Sequence, residues 1–265
     1  MKDEKKFLSF AKGTIFFIAA ILILLLIPVP ALVLDILIAL NLIFALALFI
    51  IVLNSRNAAA FTLLPTSLLV STIFNLAVYI SAARLILTKG PDFDGRLIQA
   101  VASFAAKSGY TGLVIGYVLF ILITAVQIIV VVKGTVRVAE VAARFTLDSM
   151  QVKMMAVETE HSSGSITEEE AQRRKAGIQK ESDFLGALDG ASKFISGNEK
   201  VRILIIAVST IGGILIGTLT QDQTVNEAAG TYIPLVIGSG FLFLLHGLLL
   251  SLTVGIVVTR TASIL

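Results

Sequence analysis

Apolar residues run along this chain in long unbroken stretches, without the spaced stripe of a half-buried helix. "GTIFFIAAILILLLI" and "VIGYVLFILITAVQIIVVV" carry no charge, and they reach or nearly reach the length that crosses about 30 Å of hydrocarbon. Read with their punctuation, the runs predict six spans, at 13–28, 32–53, 62–88, 111–132, 201–219 and 232–259. The third is long for one crossing and holds Pro65, Asn75 and Arg84, so a tilted, kinked or broken helix is expected there. The first follows a basic N-terminus, as a secretory h-region does. It runs into "PVPALVLD" without a small-residue cleavage site and reads as retained. The expected fold is an all-α polytopic membrane protein of about six transmembrane helices, with a helical insert between the fourth and fifth.

The same pattern divides the chain into a basic tail (1–12), a four-helix membrane block (13–132), a polar insert (133–200) and a two-helix block (201–265). The insert opens with "KGTVRVAEVAARFTLDSMQVKMMAVE", whose Val136, Val138, Val141, Phe145 and Leu147 allow an apolar stripe. "HSSGS" breaks it, since Ser and Gly favour turns. Thr167 and Glu170 then form a capping box, and Glu169–Arg173 and Glu170–Arg174 stand at the favourable i,i+4 spacing. The insert is expected to be an ordered helical subdomain with little core of its own, dependent on its neighbours. Within "SDFLGALDGASKFISG", Gly186, Gly190 and Gly197 are each unfavourable inside a free helix by roughly 1 kcal/mol. They read either as sites of close backbone approach or turning, or as parts of a surface loop.

Composition adds class and compartment. The chain of 265 residues is 56% hydrophobic and 15% charged, with a mean hydropathy of +0.94. A soluble domain is nearer a quarter charged. There is no cysteine, which excludes disulfides and thiolate metal sites. His161 and His246 are too far apart for a metal motif, and no phosphate-binding or nucleophile motif occurs, so no enzyme, cofactor or metal is expected. Ten Lys and Arg fall between Lys133 and Lys200. With Lys2, Lys5, Lys6, Lys12 and Arg56 on the same side, the positive-inside rule places both termini and the insert in the cytoplasm. The segment 89–110, with Lys89, Arg96 and Lys107, falls outside, against that rule. The net charge of +3 follows from topology and implies no nucleic acid; the bilayer is the partner that composition identifies.

Polar residues inside the spans are costly in hydrocarbon and tend to pair. Asp35 reads as a cap for the second span, and Asn41 and Gln127 as interhelical hydrogen-bonding residues. His246 could titrate near neutrality or simply bond a neighbouring helix. "IGGILIG" holds small residues at Ser209 and Gly213 and at Gly212 and Gly217, suited to close helix packing.

The stretches "KGTVRVAEVAARFTLDSM" and "TEEEAQRRKAGIQKESDFLGALDGASKF" strongly resemble the large membrane component of the type III secretion export gate, the FlhA/SctV family of flagella and injectisomes. "PVPALVLDILIALN", "LPTSLLVSTIF", "SAARLIL", "IGGILIGTL" and "GIVVTR" extend the resemblance in order over essentially the whole chain. It implies a homo-oligomeric ring in the bacterial inner membrane that passes unfolded substrates outward, coupled to the proton motive force. Other export-apparatus membrane subunits are implied as partners. Substrates and chaperones dock on a cytoplasmic domain that this sequence does not include, so either a piece of a longer protein or a natural truncation is expected. The residues do not separate flagellum from injectisome.

The resemblance also implies sites. Subunit contacts fall on Gly186, Asp189, Gly190, Lys193 and Phe194 and on Arg137 and Arg144. Proton coupling falls on Glu158, Lys153 and Arg84. Family "PGKQMAID" appears here as "QVKMMAVE", keeping Lys153 and exchanging an aspartate for Glu158. Family "FRLALNVASTR" appears as "FNLAVYISAAR", with Asn75 for an arginine and Arg84 kept. Family "IGDGLVAQIPA" appears as "IGSGFLFLLHG", with Ser239 for an aspartate. The joint loss suggests that Asn75 and Ser239 replace a charge pair. Read locally, Glu158 is equally a solvated carboxylate and Arg84 a snorkelling interface residue. Two other functions fit the residues: a structural assembly protein that has lost proton coupling, and a small-solute transporter, which would show inverted repeats and paired broken helices.

Overall fold

The computed structural model describes residues 19–55, 63–105 and 110–262. Among these, helix follows helix and no strand occurs. A short helix α1 covers 19–26. It is followed by α2 (Ala31–Asn54), α3 (Leu64–Lys89), a 3₁₀ turn at Gly90–Asp92 and α4 (Arg96–Ala105). The chain continues through α5 (Tyr110–Val126), a wider π turn at Gln127–Val132, α6 (Lys133–Ser162), α7 (Glu168–Thr220) and α8 (Val225–Ala262). Five helical runs among the described residues are long and apolar enough to cross a membrane: Ala31–Asn54, Leu64–Asp92, Thr111–Ser162, Glu168–Thr220 and Val225–Arg260. They leave Ile43, Leu122, Leu204 and Leu215 exposed, as a hydrocarbon solvent permits. Residues 13–18 of the predicted first span lie outside the described residues, as do the basic tail, Arg56 and Lys107, and α1 covers most of the rest.

The third span is neither broken nor interrupted by Pro65, which falls in the first turn of α3, where a missing N–H costs nothing. The glycine-punctuated stretch of the insert is not a loop and does not turn. It lies inside α7, whose 53 residues extend about 80 Å at 1.5 Å per residue. Among the described residues, added β-carbons at Gly186, Gly190 and Gly197 would meet nothing within 4 Å, so no close backbone approach there explains them. Gly186→Ala and Gly190→Ala are therefore expected to stabilise the isolated chain by about 0.5–1 kcal/mol each through helix propensity. Thermal unfolding in detergent reads this, and a fall in melting temperature would show that the face is occupied.

Contacts gather the chain into two units. The first comprises the described residues up to Phe44, Ser71–Thr124 and Lys200–His246. Its core joins Leu34 and Ile38 of α2, Val78, Tyr79 and Ile86 of α3, Ile98 of α4, Phe120 of α5 and Tyr232, Ile237 and Phe243 of α8. The Tyr79 and Phe243 rings stack with centroids 4.3 Å apart. The small residues of "IGGILIG" act as expected: added β-carbons would stand 2.6 Å from the Tyr232 ring at Gly213 and 2.7 Å from Ala228 at Gly217. Only such side chains let α7 and α8 approach so closely.

The segment after α3, expected to be a simple loop, contains α4. Ile98 and Ala102 are buried and Leu97 and Val101 half-buried, while Phe104 is exposed. Asp35 does not cap its own helix. Its carboxylate accepts from the backbone N–H groups of Arg96 (2.9 Å) and Leu97 (3.2 Å), filling the donor positions that begin α4 and facing its positive dipole end.

The second unit comprises the described residues of Ala45–Val70, Ala125–Glu199 and 247–262. Here α6 and the first part of α7 form a hairpin whose connection holds Gly164 at φ +76°. Ala139, Ala143, Phe184, Leu188 and Ile195 of the hairpin pack with Leu48 and Val52 of α2, Leu68 of α3 and Leu250, Val254 and Val257 of α8. The insert thus leans on apolar neighbours. The Thr167 hydroxyl accepts from Glu170 N at 3.3 Å, the first half of the expected capping box.

Candidate functional site

The apolar spans contain a buried group of polar side chains in the first unit. Asn41 of α2 donates through Nδ2 to Asn75 Oδ1 of α3 at 2.7 Å, the interhelical bond expected of Asn41. Ser71 lies one turn before Asn75 on the same face of α3, and its Oγ stands 2.9 Å from His246 Nε2 of α8. All four are buried, with His246 at 0% exposure. Arg202 of α7, 2% exposed, is close enough to act on His246 through its charge. Among the described residues, Asn41 Oδ1 and His246 Nδ1 have no protein partner. Ser239 donates to Val236 O of its own helix at 3.1 Å, so no hydrogen bond joins it to Asn75. A double-mutant cycle of Asn41→Ala and Asn75→Ala is expected to give a coupling of about 0.6–1.7 kcal/mol, the range of intramembrane bonds, in unfolding titrations.

Two arginines close helix ends. Arg84 donates to the carbonyls of Leu24 (3.3 Å), Leu25 (3.1 Å), Leu26 (3.0 Å) and Ile27 (2.5 Å), and Ser81 Oγ donates to Leu24 O at 2.5 Å. These are the unmet acceptors at the end of α1. Arg260 repeats the device in the second unit, donating to Val52, Leu53 and Ser55 at 2.7–3.0 Å.

The hairpin carries the other candidates. Glu158 pairs with Lys175, Glu160 with Arg174 at 2.8 Å, and Lys153 with Glu181 at 3.9 Å. Lys153 and Glu158 are thus on one helix, each bound across to α7 and not to each other. Arg173 turns to Glu170 at 3.1 Å in place of the expected Glu169. It joins Arg174, 3.0 Å from the same carboxylate. Lys153 also closes one end of a groove of about 370 Å³ lined by Ala142, Phe145, Thr146, Ser149, Leu185 and Val258. Asp189 and Lys193 bond at 2.7 Å, Arg137 and Glu140 at 2.9 Å, and Arg144 and Phe194 are exposed.

The hydrogen bond and charge of Lys175 hold the Glu158 carboxyl below its ordinary value. The pair therefore contributes stability above the ordinary carboxylate range, and that contribution is lost as pH falls through the lowered value. Among the described residues no cluster of His, Asp and Glu could hold a metal ion. Sequence reasoning missed Glu199 and Arg202, 1% and 2% exposed. The signal was their i,i+3 spacing at the point where polarity gives way to the apolar run, which reads as a simple span boundary.

Residues 21–264 match the FHIPEP family. The chain is 47% identical over 262 residues, 98% of its length, to a protein of Borreliella burgdorferi named flagellar biosynthesis protein FlhA, covering 37% of that protein. It is 39% identical to the Bacillus subtilis protein of the same name, over 93% of this chain and 36% of that one. It is 38% identical to the low calcium response locus protein D of Yersinia pestis, over 92% of this chain and 34% of that one. The chain spans about a third of the length of these relatives. No solved structure matches it.

Proposed function

The chain belongs to the FHIPEP family, and on that footing we propose that it is the membrane region of a type III protein export gate in the bacterial inner membrane. The observation that carries this reading is the match over nearly the whole chain to relatives named for flagellar biosynthesis. In this reading copies of the chain form a ring, residues 133–200 and both termini face the cytoplasm, and export draws on the proton motive force. Gly186, Asp189, Gly190, Lys193, Phe194, Arg137 and Arg144 lie on the ring contacts. Other export-apparatus subunits are its partners in the membrane, and substrates and chaperones reach it through the remainder of the gate protein.

Glu158 and Lys153 take part in coupling through the hairpin, while Arg84 holds α1. Protonating Glu158 removes the charge that binds Lys175, so proton uptake weakens one of the ion pairs between α6 and α7. Glu158→Gln in the protein as it occurs in its cell is expected to abolish export without loss of the protein from the membrane. Undiminished export would remove that carboxylate as an obligatory proton carrier and favour a structural assembly role. A small-solute transporter is the weaker alternative: each of the five span-capable helical runs is continuous, with no pair of broken helices among the described residues.

A further inference from the structure

We propose that His246 is the intramembrane group that binds and releases the proton, with Ser71 as the residue that holds its ring in place. This rests on the proton-coupled reading above. If a proton crosses the spans, a side chain inside them has to hold it for part of the way. Asn75 and Ser239 cannot, because neither an amide nor a hydroxyl takes up a proton near neutral pH. Asp35 is committed to the start of α4. Ser239 and His246 are seven residues apart in α8, two turns along one helix face. His is the side chain whose unperturbed charge change falls nearest physiological pH.

The geometry of the imidazole points the same way. It is fully buried and bonded on one side only, Nε2 to Ser71 Oγ at 2.9 Å. Nδ1 has no protein partner among the described residues. A buried polar atom left unmatched costs about 1–3 kcal/mol, and either tautomer leaves this one unmatched. With Nε2–H donating to Ser71 Oγ, the Nδ1 lone pair is open. One proton adds there to give the imidazolium, and the same proton leaves from the same nitrogen, so no other reactant enters. From α3 the neighbour is the uncharged Ser71, and within α8 Leu242, Phe243 and Leu250 are apolar and buried. From α7 comes Arg202, whose charge acts on the ring. Ser71 acts through the ring and not on the proton, so it is a positioning residue.

The test uses the 265-residue chain in liposomes containing an entrapped pH-sensitive dye. Protons themselves are the probe, driven inward by a potassium diffusion potential. The wild type is expected to acidify the lumen faster than protein-free liposomes, with a rate that varies with pH as a single titrating site. His246→Gln keeps an amide able to bond Ser71 but cannot titrate, and is expected to cut the rate at least tenfold and flatten its pH profile. Ser71→Ala is expected to lower the rate about threefold while keeping a pH profile. A circular-dichroism melt identifies any variant that has lost its fold, and His246→Asn then takes the place of the glutamine variant. A wild-type rate in the folded His246 variants would overturn the assignment and leave proton coupling standing. A wild-type rate equal to that of empty liposomes would overturn the coupled reading, and this assignment with it.

Discussion

Gly238→Val is expected to unseat α4 and to cost the fold about 3 kcal/mol, the upper end of what overpacking a close contact costs. Gly238 lies where α8 passes the backbone of α4. A β-carbon there would stand against Ile98 O and 2.9 Å from Ala102 N. Both are backbone atoms of a helix, so no side-chain rotation relieves the collision, and α4 as a whole has to move. Moving it strips Asp35 from Arg96 and Leu97 and exposes Ile98, now fully buried. Gly238→Ala makes the same collision with less volume and should cost roughly a third as much. Thermal unfolding in detergent and hydrogen exchange over 96–105 read the two effects together. A valine variant that melts with the wild type and keeps α4 protected would show that the two helices are not in contact there.

Arg84→Gln is expected to release the end of α1. The guanidinium reaches the carbonyls of four successive residues, 24–27, a reach that needs its planar fork of donors. Hydrogen bonds from a charged donor contribute about 1.5–3 kcal/mol where buried. Arg84 is only half-buried, and solvent screening reduces the total to about 2 kcal/mol. Among the described residues the Ser81 bond to Leu24 O also holds α1, while Leu22, Ile23, Leu26 and Ile27 are all more than half exposed. Hydrogen exchange of amides 19–27 should accelerate about 30-fold, the equivalent of that energy. Arg84→Lys, with its point charge, should recover part of the protection. Unchanged exchange in the glutamine variant would show that α1 is held by its apolar contacts alone.

The elements that could be read in advance are those whose cause is local. The charge-free runs define α2, α3 and α8, because twenty apolar residues have few alternatives to a spanning helix. Thr167 marks the start of α7 through an N–H three residues away, and Gly213 and Gly217 announce a close helix neighbour through their size alone. The features that could not be read depend on distant partners. Asp35 looks like the cap of the helix it sits in, because its actual partners, Arg96 and Leu97, are more than sixty residues away. α4 is hidden by "KGPDFDG", whose turn residues are plain while the apolar pairs Leu97–Ile98 and Val101–Ala102 are brief. Gly186 and Gly190 lower helix propensity, yet they lie in a helix tied by the Asp189–Lys193 bond and packed through Phe184 and Leu188. Tertiary packing outweighs a propensity deficit of that size. The buried site was half visible. His246 and Asn75 stand out in an apolar run, but Ser71, which brings His246 into the group, looks like any serine.

The most direct measurement of the central claim is a graft. The matching membrane region of the Borreliella burgdorferi relative is replaced by this chain, and export is followed in cells with and without an uncoupler of the proton motive force. Export restored by the graft and stopped by the uncoupler is the expected result. A graft that enters the membrane at the level of the native protein and supports no export would contradict it.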